Sequence, residues 1–243
     1  KAGKPVYIEK PMALNHQQCN EINLEAERCG VPVFVAYYRR ALPGFVKVRE
    51  LVVSGKIGKP RFVKLELFKP PSAEEQKGQL SWRVDPLISG GGHFFDLASH
   101  QLDYLDFLFG PIKDITSVVL NQAGLYPAED YVSAQFVFEN GVAGTGIWCF
   151  NASQESSRDM IEIIGEKGII KFSTFTFDPI LLHNESGRQE LINERPEHVQ
   201  YYLIEQIVKT LSGNGKAVST GITAARTSRV MDEIVKEYYK DKR

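Results

Sequence analysis

The chain has 243 residues, enough to bury a sizeable core in one large domain or one and a half. Its 29 lysines and arginines nearly cancel its 30 aspartates and glutamates. The charge is spread along the chain, which argues against nucleic acid as the main partner, because phosphate binding needs a local excess of cations. No apolar run approaches the ~20 residues of a membrane span, and the three cysteines, Cys19, Cys29 and Cys149, form no CxxC pair. The reading is a reduced, cytoplasmic protein with no membrane partner, no disulfide frame and no thiolate metal site.

The chain opens on Lys1-Ala2-Gly3-Lys4-Pro5, without an initiator methionine, and runs at once into the apolar strand Val6-Tyr7-Ile8. The expectation is that further sheet, and any targeting segment, lies upstream. Residues 15–28 read as a helix with Asn15 as N-cap and Gly30 just past its end, and residues 31–36 as a second apolar strand. Strand, helix and strand within ~35 residues make the crossover unit of a parallel sheet. After Tyr37-Tyr38-Arg39-Arg40, residues 43–54 form a helix closed by Gly55 and Gly58. Residues 60–69 then alternate, with Phe62, Lys64, Glu66 and Phe68 on one face and Val63, Leu65 and Leu67 on the other.

A long loop, residues 70–92, carries Trp82-Arg83 and the triple glycine Gly90-Gly91-Gly92, and an apolar helix follows over 93–109. Strands come next. Residues 132–138 and 143–149 alternate around Asn140-Gly141, the favoured type I′ hairpin dipeptide, and further strands fall at 160–164, 169–172, 176–182 and 189–192. Helices over 198–211 and 222–239 close the chain. The fold class is α/β plus α+β. Residues 1–37 are the last βαβ remnant of a Rossmann domain, and residues 38–243 form a domain with a large, mainly antiparallel sheet covered by helices on one face. The half-polar face carrying Tyr131, Ser133, Gln135 and Val137 is expected to meet a second copy, giving a homodimer or homotetramer.

Lys10 lies between Glu9 and Pro11 at the carboxyl end of a parallel strand, the edge where open α/β sheets bind ligands. A lysine partly desolvated there suits acid–base work; a solvated lysine after a strand is the plainer reading. On the 93–109 helix, Asp96, His100 and Asp103 share one face of helical spacing. Asp96 is placed to orient the His100 imidazole, and the glycines before it to admit backbone or substrate. That stripe could equally be solvated, or could hold a metal with His93, although HxxDxxxHxxD matches no ligand-spacing rule and no metal is expected.

In order, these segments resemble one family. Gly3–Ala13 around Glu9-Lys10-Pro11, the junction Val35-Ala36-Tyr37-Tyr38-Arg39-Arg40, the turn Gly55-Lys56-Ile57-Gly58-Lys59-Pro60, the Trp82-Arg83 loop, the D-x-x-x-H helix at Asp96 and His100, and Gly165-Glu166-Lys167-Gly168 are similar to the glucose–fructose oxidoreductase, inositol dehydrogenase and rhizopine-catabolism (Gfo/Idh/MocA) family. The resemblance implies an NAD- or NADP-dependent oxidoreductase acting on the CH–OH group of a sugar or polyol, whose glycine-rich phosphate loop lies upstream of Lys1. It implies Lys10, Asp96 and His100 as the catalytic set. Glu9, Lys10, Pro11 and Arg83 would face the cofactor, and Tyr38, Trp82, Asp96 and His100 the substrate. Two departures concern the substrate: Ala98-Ser99 stands where a small residue or glycine often precedes the histidine, and Phe94-Phe95 makes the helix start bulky. The alternative is a non-catalytic ligand sensor on the same fold.

Overall fold

In the computed structural model, which describes residues 2–240, β1 (Val6–Ile8) and β2 (Val33–Val35) pair in parallel, Val6 opposite Val33 and Ile8 opposite Val35. The crossover is α1 (His16–Arg28). Its start is set by Asn15, whose side chain accepts the Gln18 N–H at 2.9 Å, and beyond its end Gly30 takes a φ of +63° that a side chain would resist. A 3₁₀ turn at Tyr38–Arg40 leads into α2 (Pro43–Val53), which opens on a proline at its first position. The central strand β3 (Pro60–Phe68) follows.

The 70–92 segment is more ordered than a loop. It holds α3 (Ala73–Gln76), capped reciprocally by Ser72 and Glu75, a 3₁₀ turn at Trp82–Val84, and α4 (Pro86–Ser89), capped by Asp85. The expected 93–109 helix is two structures. Phe94–Ala98 is a π-helical turn, and only Ser99–Phe109 is α-helix, α5.

Seven further strands follow: β4 (Ile112–Leu120), β5 (Tyr131–Phe138), β6 (Ala143–Cys149), β7 (Arg158–Gly165), β8 (Gly168–Phe172), β9 (Ile180–Asn184) and β10 (Gly187–Leu191). With β3 they form one sheet in the order β10-β9-β8-β7-β3-β6-β5-β4. Only β3 and β6 run parallel; the other neighbours are antiparallel.

Three details correct the sequence reading. β4 was not anticipated: it is an exposed edge strand, and its register shifts around Asp114, which has φ +50°, so it shows no clean alternation. The 138–142 turn is not type I′, which needs positive φ at both central residues; Gly141 has φ +88° but Asn140 does not. The Gly141 N–H donates to Phe138 O and the Phe138 N–H to Val142 O, both at 2.9 Å, as in a three-residue loop with a left-handed last residue. Phe177, at φ +58°, breaks the expected 176–182 strand, which starts instead at Ile180.

The alternation in β3 and β5 reads out directly in burial. Val63, Leu65 and Leu67 join Val132, Phe136, Phe138, Trp148, Ile161 and Ile163 in the main core under α2 and α5. Gly144 and Gly146 in β6 leave room for the Phe136 and Trp148 rings. The opposite face is half-polar, with Lys64 and Arg158 on Glu66, Lys171 on Glu162, and Phe62 and Val118 exposed.

Two helices return to the first unit. α6 (Tyr201–Leu211) packs Leu203 and Ile207 on Phe34 and Ala41. α7 (Gly221–Tyr239), capped by Thr220, seats Ala224 and Ala225 against Met12, Cys19, Val33, Val35 and Tyr37. Its later residues Val230, Met231, Ile234 and Val235 enter the main core. The Ser219 hydroxyl donates to Val35 O at 2.7 Å. By packing, the βαβ unit therefore includes residues from the far end of the chain.

Candidate active site

β1 delivers Glu9, Lys10 and Pro11 to the carboxyl edge of the parallel pair, the last two joined by a cis peptide. Glu9 is exposed and accepts from Gln200 Nε2 at 3.0 Å. Lys10 turns inward. Its ammonium donates to Asp96 Oδ1 at 2.5 Å and to the Asp96 carbonyl at 2.8 Å, so one of its three N–H groups is uncommitted. The glycines make this meeting possible. A side chain at Gly90, which has φ +83°, would lie 2.6 Å from the Leu14 carbonyl, and one at Gly92 would lie 2.8 Å from Ala128 Cβ. Gly91 faces the Phe95 ring. The triple glycine thus makes room for protein, not substrate: it lets the start of the π turn lie against the loop that follows Lys10.

Asp96 does not hold His100. Its second oxygen lies 3.5 Å from Arg83 Nε, and its first is on Lys10. Because residues 94–98 are π-helical, the four-residue spacing does not give the α-helical neighbour relation there, and the ammonium is a stronger partner than a neutral ring. Asp103 also leaves the expected stripe. It is buried and forms a two-point pair with Arg40, Nε to Oδ2 and Nη2 to Oδ1, both at 2.7 Å. Asp106 extends the network, accepting from Arg40 at 3.0 Å and from Arg226 at 2.7 and 2.8 Å.

His100, 3% exposed, sits in an aromatic box instead. Tyr38 lies 5.2 Å, Tyr37 5.9 Å and Phe175 6.2 Å from its ring, all steeply inclined, and its Nδ1 is buried without a hydrogen-bond partner. Burial first, then the positive charges of Arg39 and Lys10, holds this imidazole well below its ordinary pKa. The ring is therefore held neutral. Lys10 is thus paired with Asp96, while His100 lies apart in its aromatic box and feels Lys10 only as a positive charge.

Tyr38 is placed against His100. Trp82 is 56% exposed and stacked by Arg83, whose guanidinium carbon lies 4.7 Å from the ring centre. Arg83, His93, Glu75, Lys69, Leu97 and Phe150 line a cavity of about 610 Å³ next to Asp96. Within it His93 Nε2 meets Glu75 Oε1 at 2.5 Å. His93, Asp96, His100 and Asp103 thus diverge, and among the described residues no three His, Cys, Asp or Glu side chains converge on a metal position. A larger hollow of about 800 Å³, between α1 and the start of α7, contains none of the site residues. No described helix is long and apolar enough to cross a membrane.

Sequence reasoning missed Arg39, Thr174, Phe175 and the Glu75–His93 pair. Their contacts join segments far apart in the chain, as with the Arg39 Nε donating to Thr174 O at 3.0 Å. No local spacing announces them.

The fold and site define a class: a βαβ unit whose edge lysine pairs with an aspartate ahead of a buried histidine, joined to an eight-stranded sheet. Residues 45–171 match the GFO/IDH/MocA C-terminal domain, and the chain belongs to that family. It is 35% identical over 95% of its length to the oxidoreductase P35 of Formosa agariphila, covering 70% of that protein. It is 30% identical over 69% of its length to the myo-inositol dehydrogenase Hyg17 of Streptomyces leeuwenhoekii, covering 50% of it. Its fold matches a levoglucosan dehydrogenase solved with NADH and levoglucosan, with a TM-score of 0.86 at 20% identity over 98% of this chain and 72% of that one.

Proposed function

We propose that the whole protein is an NAD- or NADP-dependent oxidoreductase acting on a CH–OH group of a sugar, polyol or related compound. The observation that carries this reading is Lys10 at the carboxyl edge of a parallel strand, ion-paired to Asp96, which stands four residues before the buried, neutral His100. A nicotinamide bound beside that edge would supply the hydride chemistry. Glu9, Lys10, Pro11 and Arg83 would hold it. The fit extends only to the nicotinamide end: residues 9–15 contain no glycine, so the start of α1 offers no nest for a pyrophosphate. We assign that part of the site to residues outside this chain.

The chain's own residues divide the proton work. The uncommitted Lys10 N–H points a positive donor at the reacting oxygen and stabilises charge that develops there. Neutral His100 takes the hydroxyl proton during oxidation and returns it in the reverse direction. Asp96 positions Lys10, and Tyr38 walls the substrate against the histidine. The names of the relatives, an inositol dehydrogenase and a levoglucosan dehydrogenase, support a polyhydroxylated ring as substrate. The open face of the eight-stranded sheet supports pairing of two copies, and a monomer in sedimentation at micromolar concentration would count against it.

The test is nicotinamide reduction by the full-length protein across a panel of sugars and polyols. Turnover is expected with at least one of them, and the 243-residue chain alone should show none. Reduction with no member of the panel overturns the reading.

A further inference from the structure

Arg39 enters this scheme only through its charge near His100, yet it is one of the most deeply buried charges in the molecule, 3% exposed. Its guanidinium lies between two rings of the His100 box, 5.0 Å from the centre of Tyr38 and 4.5 Å from that of Phe175. Its Nε donates to the Thr174 carbonyl at 3.0 Å, and its Nη1 is buried with no hydrogen-bond partner. It forms no ion pair with any described residue. Asp96 and Asp159 act on it only through longer-range attraction. Asp96 is engaged with Lys10, and Asp159 Oδ2 accepts the backbone N–H groups of Thr174 and Phe175 at 2.9 and 2.6 Å.

The neighbouring Arg40, equally buried, has two carboxylates within 3.0 Å. Burying a guanidinium is costly unless it is paired and its donors are used. Stacking on Tyr38 and Phe175, and a side-chain hydrogen bond with Tyr38, favour the cation, but Nη1 stays without a partner. The unmet requirement is a planar acceptor with one negative charge, beside the histidine that handles the reacting hydroxyl. Charge counting agrees: the cations Lys10, Arg39 and Arg83 face the two carboxylates Asp96 and Asp159, which leaves one positive charge over.

We propose, building on the oxidoreductase reading, that the substrate is a sugar acid whose carboxylate binds Arg39 while its carbinol meets Lys10 and His100. A monoanion matches the single surplus charge and the flat edge of the guanidinium. A phosphate dianion would need further donors, and the donors of Arg40 and Lys10 are largely committed.

The test uses the full-length protein with its nicotinamide cofactor and matched compounds: D-glucuronate against D-glucose, D-galacturonate against D-galactose, and each uronate against its methyl ester. The ester keeps the shape of the acid and loses the charge. The acids should be preferred in kcat/KM by a factor on the order of 10²–10³. Arg39→Gln should lower kcat/KM for the acids by a similar factor, mainly through KM, and change that for the neutral sugars by less than about 5-fold. Arg39→Lys should fall between. If Arg39→Gln fails to fold, the acid-to-ester ratio of the unaltered protein still decides. Turnover of esters or neutral sugars as fast as acids overturns the sugar-acid proposal and leaves the oxidoreductase reading standing. Absence of turnover with every compound overturns the oxidoreductase reading. Calorimetry of uronate against ester then decides on the carboxylate alone, equal or absent binding counting against it.

Discussion

Arg39 and Arg40 are adjacent, both buried, and treated in opposite ways by the fold. Arg40 enters a closed network with Asp103, Asp106 and Arg226, built from α5 and α7. Arg39 faces the rings around His100 with one nitrogen unmatched. A structural cluster completes its own hydrogen bonds; a binding site leaves donors and acceptors for something else. The same contrast runs along the D-x-x-x-H helix, where Asp103 is fully paired while His100 keeps an unpartnered Nδ1.

Substitutions should separate the two regions. Asp103→Ala leaves Arg40 buried with a weakened partner set and should lower the unfolding free energy in urea by about 3–5 kcal/mol. A change under 1 kcal/mol would show that the network is not structural. Lys10→Met should leave folding nearly intact, since Asp96 is part-exposed and keeps Arg83. It should cut kcat by on the order of 10²–10³-fold, as loss of a donor to the reacting oxygen does; equal losses in stability and turnover would merge the two regions.

The acid side of the stability curve gives a smaller effect. Unfolded His100 takes up a proton near the ordinary value of about 6.5, whereas the folded ring does so only well below it. The unfolded state therefore binds more protons as pH falls through about 6.5. Stability should drop there with a slope approaching ~1.4 kcal/mol per pH unit, and this residue contributes no slope above about pH 7. His100→Gln should flatten that limb, and an unchanged slope would contradict a neutral buried ring. Smallest is Thr220→Ala, which removes the cap of α7 but no side chain of either cluster. It should cost about 1 kcal/mol in melting experiments and leave kcat unchanged.

Much of this was legible from residue order. The βαβ unit showed in two short apolar strands around a capped helix. The β3 and β5 faces showed in strict alternation, and Lys10 and His100 in their places relative to strand and helix. What escaped notice depended on contacts between distant segments. The π turn at Phe94–Ala98 has no spacing signature and moved Asp96 from His100 to Lys10. The bulged edge strand β4 hid its alternation, and of the backbone or substrate that the glycines were expected to admit, it is protein, at Leu14, Phe95 and Ala128, that comes close. Arg39 stood in plain view beside Arg40, but only the fold shows that one is paired and the other is not.

The most direct test of the account is turnover by His100→Ala in the full-length protein, measured with nicotinamide cofactor affinity on the same preparation. The account predicts a kcat lower by on the order of 10²–10⁴-fold with the dissociation constant for the cofactor unchanged. Undiminished turnover would remove His100 from the proton transfer and contradict it.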